Sequence, residues 1–520
     1  MTRQTIGFAV ALCLFILVLL LPTLDSFLRT STQVIAEQHV QIDPAELARS
    51  MQTVLALSLL MIVLWLTEAI PLPATALLPA ALLPLLHLRG AAHGTTVEFN
   101  LANVVANYAN PVIYLFLGGF LIAAAMQKWK LDRRLTLWLL TRGNLAADSR
   151  KILLGMMSVT AFLSMWISNT ATAAMMLPLG IGVLSSMGCK PGTSRFGTAL
   201  MLGIAWSASI GGMGTIIGTP PNGIALGILN ATFAGDPSYH RITFLEWMLF
   251  GVPYVVLFIP VAWLVLLRLF PPETATELGA TSKLKQEYST LGPLSRGEKW
   301  TIAMFLFVSL LWIVTPFREQ LFPHAISERL AWLDEYAIGL FVGTLLFFIP
   351  VSVKRGEFLL DWRDAKFVDW GTLILFGGGI ALSDVMFKSG LAAWISYTFI
   401  GSLGTPSTLV MMFVVVLLAA MLTEVTSNTA ITTMMVPIVI SVARATGGNA
   451  VTLSVATALA ASMAFMLPVA TPPNALVYAT GYITLKDMVK GGIVLDLLGW
   501  LFTVGIIVVF GVWIFGVLGL

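Results

Sequence analysis

The 520-residue chain is poor in charge and in cysteine: 11% of its residues are Asp, Glu, Lys or Arg, and two are Cys. Soluble proteins carry about 25% charged residues, whereas 58% of this chain is hydrophobic. A water-soluble fold cannot bury such a surplus, so the composition excludes a soluble enzyme, a nucleic-acid binder and a secreted disulfide scaffold. We expect Cys13 and Cys189 to be free thiols, because one lies in an apolar run and the other in a connection.

The length accommodates about eleven membrane-spanning helices, since one span needs about 20 apolar residues. Apolar runs are found at residues 7–21, 51–70, 72–88, 111–140, 196–230, 247–269, 300–317, 335–353, 369–400, 450–482 and 490–518. Two further segments, 152–189 and 406–445, have apolar arms interrupted by a polar cluster, which predicts two re-entrant hairpins. We therefore predict an all-α polytopic membrane protein that forms one integral domain over residues 1–520.

The basic residues predict how the chain is oriented. No small-x-small cleavage signature follows the first apolar run, so we interpret this run as a retained helix rather than a signal peptide. If the N-terminus is cytoplasmic and each hairpin returns to the side from which it entered, 21 of the 29 Lys and Arg residues fall in cytoplasmic connections. The positive-inside rule favours this orientation in a cell inner (plasma) membrane.

Three sequence blocks recur in the same order, which predicts a duplication. The pairs are LFLGGFLIA at 115 with LFGGGIALS at 375, SNTATAAMMLP at 168 with SNTAITTMMVP at 427, and GTPPNGIALG at 218 with ATPPNALVYATG at 470. An odd number of predicted spans separates the copies, so we expect two inverted repeats. The predicted organisation is a first helix and outer loop over 1–50, a first repeat over 51–270, a cytoplasmic linker over 271–299 and a second repeat over 300–520.

The two SNT motifs supply hydroxyl and amide groups without formal charge, at Ser168–Thr170 and Ser427–Thr429. Ser and Asn are good N-cap residues, so each motif is expected to begin a helix whose first N–H groups point at the hairpin tip. Two such helix ends that face each other near the membrane midplane would suit an anion with two carboxylates.

The two TPPN motifs have a different effect, because consecutive prolines inside an apolar stretch break a membrane helix. The carbonyl groups before the breaks, at Gly218 and Ala470, become free acceptors that suit a hard monovalent cation such as Na⁺. No Lys or Arg occurs in the four motifs. A bound dianion would therefore need cations and helix dipoles to offset its charge, which predicts cation coupling.

Some acidic residues carry weaker signals. Glu68 and Glu424 lie in apolar segments, where an acid suggests a functional role, although Glu424 could instead orient the neighbouring hairpin tip. Asp384 and Asp496 are candidates for buried partners of Lys388 or of a helix end. One SNT is usually an ordinary turn and one Pro-Pro an ordinary kink, but the recurrence of both motifs in order favours the functional interpretation. The sequence has no Walker A, HExxH or GxSxG motif, which argues against ATP-driven transport and the common hydrolases.

The paired SNT and TPPN motifs, together with TEAIPLPATALLP from Thr67, resemble the divalent anion/sodium symporter (DASS) family of INDY-type dicarboxylate transporters. The resemblance covers most of the chain. It implies a homodimer in which each protomer has a scaffold domain and a transport domain that carries both hairpins. It also implies an elevator-type movement of the transport domain, Na⁺ as the coupling ion and no organic cofactor.

The resemblance also implies two sodium sites and a substrate site. The first sodium site would use Ser164, Ser168, Asn169 and Gly218. The second would use Thr423, Thr426, Asn428 and Ala470. The substrate carboxylates would contact Asn169, Thr170, Thr219 and Pro220 on one side and Asn428, Thr429, Thr471 and Pro472 on the other. Intact SNT motifs point, within the family, to succinate, malate or fumarate rather than sulfate.

Three alternatives stay open beside sodium-coupled import. A sodium-independent dicarboxylate or tricarboxylate exchanger would be expected to lose cation-site oxygens or to gain a basic side chain, whereas Ser164 and Thr423 keep their hydroxyls. An anion channel would need a continuous pore rather than two enclosed hairpins. An intramembrane enzyme would need a nucleophile and base, and the sequence offers no plausible pair.

Overall fold

The computed structural model describes residues 3–92, 94–141, 148–273, 285–330, 333–404 and 406–515, and this part of the chain is mostly helical. The helices of the first half are α1 (Arg3–Leu20), α2 (Asp25–Gln38), α3 (Pro44–Thr67), α4 (Leu72–Ala76), α5 (Leu78–Leu86), α6 (Leu101–Val105), α7 (Pro111–Lys128), α8 (Leu131–Thr141), α9 (Ser149–Ser164), α10 (Asn169–Ser186), α11 (Arg195–Gly212), α12 (Pro220–Thr232) and α13 (Phe244–Leu269).

The second half is also mostly helical. Its helices are α14 (Arg296–Val314), α15 (Arg318–Leu321), α16 (His324–Arg329), α17 (Glu335–Leu345), α18 (Trp370–Lys388), α19 (Leu391–Leu403), α20 (Thr408–Thr423), α21 (Asn428–Thr446), α22 (Ala450–Ala461), α23 (Pro472–Tyr478) and α24 (Leu485–Phe515). Short 3-10 helices cover Ala106–Ala109, Thr315–Phe317, Val353–Arg355 and Trp362–Phe367. Two small antiparallel sheets pair β1 (Arg89–Ala92) with β2 (Thr95–Glu98) and β3 (Pro350–Ser352) with β4 (Glu357–Phe358).

Seven helices in the described residues are long and apolar enough to cross a membrane, or eight if the α1–α2 pair, bent by 72°, is one span. Five shorter apolar helices accompany them, α20 and α22 among them. The prediction of an all-α polytopic membrane protein is confirmed, while the number of about eleven spans remains a prediction. The segment expected to be an outer loop within 1–50 contains α2, whose Phe27 and Val34 are buried.

Prolines and caps fix where the central helices begin and end. Because Pro lacks an N–H group, it is tolerated in the first turn of a helix, and α12 and α23 both begin at a Pro-Pro pair. At the N-terminus of α11, the N–H groups of Arg195 and Phe196 donate to the carboxylate of Glu273, at 2.5 and 3.3 Å. Burial opposes ionisation of Glu273, but these N–H groups and the Ser194 hydroxyl outweigh it and hold the pKa of Glu273 below its usual range.

Helices α7–α12 and α18–α23 follow one another in the same order. In each set a long helix and a shorter one precede two helices joined by a tight turn, and a broken pair of helices follows. This order agrees with the predicted duplication, whose inverted arrangement remains a prediction. The two sets interlock, since α10 packs against α23 while α21 packs against α12. The helix that follows the tight turn in each half, α10 or α21, therefore meets the last helix of the broken pair in the other half, α23 or α12.

Candidate binding site for ions and an anion

The first hairpin turn places polar oxygens close together. It lies between α9 and α10, which contact each other, and the buried Ser164 is the last residue of α9. The Ser164 hydroxyl is 2.8 Å from Asn169 Oδ1 and 2.6 Å from the carbonyl oxygen of Ala208 on α11. One hydroxyl proton serves one acceptor at a time, so three oxygens converge on a single proton. This arrangement suits a small, hard cation.

The second hairpin turn, between α20 and α21, has the same arrangement. The buried Thr423 hydroxyl is 2.7 Å from Asn428 Oδ1 and 2.7 Å from the carbonyl oxygen of Ala461 on α22. Thr423 and Asn428 follow Ser164 and Asn169 by 259 residues. The two clusters therefore contain the same three kinds of oxygen, from a hydroxyl, an amide and a helix carbonyl.

The asparagine of each TPPN motif holds the break of its helix pair. Asn222 Nδ2 donates to the carbonyl oxygens of Gly212 and Thr215, at 3.1 and 2.8 Å. In the second half, Asn474 Nδ2 donates to the carbonyl oxygens of Ala464 and Leu467, at 2.9 and 3.0 Å. These contacts correspond at an offset of 252 residues.

Both asparagines are fully buried, and the Oδ1 atom of each lacks a hydrogen-bond partner in the described part of the chain. A buried acceptor without a donor is unfavourable. Each broken helix thus keeps an acceptor that a cation or water could satisfy.

The backbone packs closely where the first hairpin turn, between α9 and α10, meets the break between α11 and α12. A Cβ atom built on Gly212 would lie 2.5 Å from Asn169 Oδ1 and 3.1 Å from Thr219 Cβ. A Cβ atom on Gly218 would lie 2.5 Å from the Gly212 carbonyl oxygen. The absence of side chains at these glycines lets Asn169, Thr219 and the carbonyl-rich break share one small region.

The predicted site residues of the two hairpin turns lie at or between the ends of α9, α10, α20 and α21. Ser168 and Ser427 are the N-cap residues of α10 and α21, and the Ser168 hydroxyl accepts the N–H of Ala171. Thr170 is exposed, while Thr429 is half-buried. The Thr426 hydroxyl donates to the carbonyl oxygen of Trp65 on α3, at 3.2 Å, so its proton is used outside the hairpin.

The remaining predicted residues lie at the breaks. Gly218 and Ala470 precede Thr219 and Thr471, and all four are buried. Thr219 and Thr471 are the N-caps of α12 and α23, and the Thr471 hydroxyl accepts the N–H of Asn474. Pro220 is half-buried and Pro472 is exposed.

Sequence reasoning missed the carbonyl oxygens of Ala208 and Ala461 and the roles of Asn222 and Asn474. The alanine carbonyls carry no side-chain signal, so only the fold reveals them. The two asparagines had a signal, because both belong to the repeated TPPN blocks.

The weaker acidic candidates have different outcomes. Asp384 forms an ion pair with Lys388, at 2.8 Å, as expected. Glu68 is exposed and ends α3 in the left-handed conformation, with φ of 49°. Asp496 lies against Glu424 rather than Lys388.

Comparison with known proteins identifies the family. The family model described as the sodium:sulfate symporter transmembrane region matches residues 32–517. The sodium-dependent dicarboxylate transporter SdcS of Staphylococcus saprophyticus is 38% identical over 455 residues, covering 86% of this chain and 83% of the relative. SdcS of Staphylococcus aureus is 37% identical over 454 residues, with coverage of 86% and 83%.

A solved structure shares the fold. The crystal structure of the Alcanivorax borkumensis YdaH transporter superposes with a TM-score of 0.56 and 15% identity, covering 88% of this chain and 98% of that chain. Because the family model spans most of the sequence, the DASS resemblance is confirmed and the protein is a transporter rather than an enzyme. The chain belongs to the family of the sodium:sulfate symporter transmembrane region.

Proposed function

We propose that this protein imports C4-dicarboxylates such as succinate, malate and fumarate by sodium-coupled symport. The observation that carries the proposal is the pair of equivalent oxygen clusters, around Ser164 and Thr423, at the tips of two hairpins. The names of the SdcS relatives, sodium-dependent dicarboxylate transporters, support the same substrate and ion.

Charge balance is the physical reason for coupling. None of the four motifs contains a Lys or Arg, so a dianion bound there has no basic side chain in the motifs to offset its charge. We assign one Na⁺ to the oxygens of Ser164, Ser168, Asn169 and Gly218, and a second to those of Thr423, Thr426, Asn428 and Ala470. Each Na⁺ then lowers the electrostatic cost of the dianion in a low-dielectric site, which makes ion and substrate binding cooperative.

The substrate would bind between the two hairpin tips. The first N–H groups of α10 and α21 have no intrahelical partners and carry the positive ends of the helix dipoles. We assign one carboxylate to Asn169 and Thr170 and the other to Asn428 and Thr429. The assigned flanking contacts are Thr219, Pro220, Thr471 and Pro472. Two separate helix ends match a molecule with two carboxylates better than the single centre of sulfate.

Unequal packing of the two broken helices supports alternating access. Ile217 and Leu226 are 7% and 1% exposed, whereas their partners at an offset of 252, Val469 and Tyr478, are 74% and 38% exposed. Helix α12 packs against α7 and α18, while α23 leaves its corresponding face open. With a cytoplasmic N-terminus, the open face is on the cytoplasmic side, which corresponds to an inward-facing state.

If α12 became exposed and α23 became enclosed, the protein would be in an outward-facing state. The body that carries both hairpins would then move across the membrane as in an elevator, with the site enclosed between hairpins and broken helices. We also infer a plasma-membrane location and a homodimer. Cross-linking in native membranes would test the dimer, and a monomer alone would contradict it.

The test is uptake of labelled succinate into proteoliposomes. Uptake driven by an inward Na⁺ gradient, absent with K⁺ on both sides and lost in Asn169→Ala and Asn428→Ala, is the expected result. Uptake that ignores Na⁺ but requires unlabelled dicarboxylate inside would establish an exchanger instead. Competition by sulfate as strong as that by succinate would refute the dicarboxylate assignment.

A further inference from the structure

The turn of the second hairpin contains a buried carboxylate that the proposed transport cycle has not used. Glu424 follows the last residue of α20 and is buried. Its Oε1 atom accepts the N–H groups of Phe465 and Met466, at 2.6 and 2.9 Å, and its Oε2 atom accepts that of Leu467, at 3.0 Å. A carboxylate that accepts three successive N–H groups holds that backbone segment in one conformation.

The first half holds its corresponding segment without a carboxylate. Met165 occupies the place of Glu424, at an offset of 259. The N–H groups of Met213 and Gly214 bond to helix carbonyls instead. The Thr215 hydroxyl donates to the carbonyl oxygen of Met165, at 2.5 Å, and ties the loop to the turn. The two halves therefore use different groups for the same connection.

The segment held by Glu424 leads directly to the second proposed cation site. The carbonyl oxygen of Leu467 accepts the N–H of Ala470, at 3.2 Å, and the amide of Asn474, at 3.0 Å. Ala470 is the residue whose carbonyl would bind Na⁺, and Thr423 precedes Glu424 in the chain. Glu424 thus joins the hairpin half of the site to the broken-helix half.

Asp496 on α24 is a second buried acid beside Glu424. Its carboxyl group is buried and lies against that of Glu424. Its oxygens have no donor from the rest of the described chain.

We propose that Glu424 is a positioning residue that sets the sodium affinity of the second site by fixing residues 465–467 relative to the hairpin. This inference rests on the proposed function, since it presumes that Na⁺ binds at Thr423, Asn428 and Ala470. Without the carboxylate, three buried N–H groups lose their acceptor and the Ala470 carbonyl loses its fixed distance from the hairpin oxygens.

The experiment measures the Na⁺ concentration that half-saturates thermal stabilisation of the purified full-length protein, with choline replacing Na⁺ at constant ionic strength. The same variants are then assayed for Na⁺-dependent uptake of labelled succinate. In Glu424→Gln, the half-saturating Na⁺ concentration should rise by about tenfold or more, in addition to any fall of the melting temperature in choline alone. A matched acid-to-amide control, Asp384→Asn, lies outside both sites and should leave the half-saturating concentration within twofold.

A second pair of variants transplants the arrangement of the first half. Glu424→Met should weaken Na⁺ binding further, and adding Leu467→Thr should restore part of it, because the new hydroxyl can donate to the carbonyl oxygen of residue 424. If Glu424→Met does not fold, Glu424→Gln decides the question, since Gln preserves the volume of Glu. A half-saturating concentration unchanged in Glu424→Gln would overturn the inference. A wild-type protein without any Na⁺ response would overturn the proposed function itself.

Discussion

The substitution Gly212→Ala tests the first cation site through backbone geometry alone. Gly212 ends α11 and contacts the Asn169 side chain, whose Oδ1 atom would lie 2.5 Å from the added Cβ atom. The substitution removes no polar group and adds no charge. Any effect on sodium therefore comes from displacement of Asn169 or of the helix end.

The required displacement can be taken from the structure. Real Cβ atoms essentially never approach another heavy atom closer than 3.0 Å, so Asn169 Oδ1 and the end of α11 must move apart by at least 0.5 Å, the difference between 3.0 and 2.5 Å. Thr219 Cβ, at 3.1 Å from the added atom, limits relaxation on its side. Binding groups must be held within about 0.5 Å of their productive positions. We expect a rise of about tenfold in the half-saturating Na⁺ concentration, which corresponds to about 1.4 kcal/mol.

The assay is Na⁺-dependent uptake of labelled succinate into proteoliposomes, at a saturating succinate concentration. Gly505→Ala is the matched control, because a Cβ atom at Gly505 on α24 meets nothing within 4 Å in the described structure. This control should keep the wild-type Na⁺ dependence. If Gly212→Ala also keeps it within twofold, Asn169 does not contribute to Na⁺ binding as proposed.

The other predictions concern access, stability and the helix breaks. In a background without native cysteines, Val469→Cys should react with an impermeant maleimide from the cytoplasmic side and Ile217→Cys should not, because the two side chains are 74% and 7% exposed. Rapid labelling of both residues in one state would contradict alternating access. Glu273→Gln should lower the free energy of unfolding by about 0.5 kcal/mol at pH 7. This difference should shrink below about pH 4, because the stability that a lowered carboxyl pKa provides is lost as the pH falls through the pKa of the folded state. Equal melting shifts at pH 7 and pH 3 would contradict that account. Asn222→Leu and Asn474→Leu should each reduce uptake by about tenfold or more, because two buried carbonyls lose their donor; normal uptake per folded protein would refute this.

Local sequence signals predicted the positions of the hairpin turns and helix breaks well. Ser168 and Ser427 stand at N-cap positions as predicted, although only the Ser168 side chain accepts a helix N–H, and α12 and α23 begin at the Pro-Pro pairs. These features depend on the chemistry of a few neighbouring residues. For the same reason, the sequence could predict them without any tertiary information.

Contacts between distant segments could not be predicted in this way. The Ala208 carbonyl reaches Ser164 across 44 residues, and the Ala461 carbonyl reaches Thr423 across 38. Every residue has a carbonyl, so its use as a ligand depends only on helix packing. That Glu424 orients the neighbouring hairpin tip stays a prediction, and the contact of its carboxylate with the loop at 465–467 could not be foreseen from the sequence.

The two halves differ in several packing residues but keep the same kinds of oxygen in both hairpin turns, as the proposed binding of Na⁺ at each turn predicts. Met165 corresponds to Glu424, so the groups that tie each loop to its hairpin turn have diverged. Helix α12 is enclosed while α23 is open, so the surroundings differ as well. Selection for packing alone would have let the hydroxyl and amide oxygens of the two turns diverge with their surroundings. Their retention in both turns, at distances of 2.8 and 2.7 Å, is what the proposed Na⁺ binding at both turns predicts.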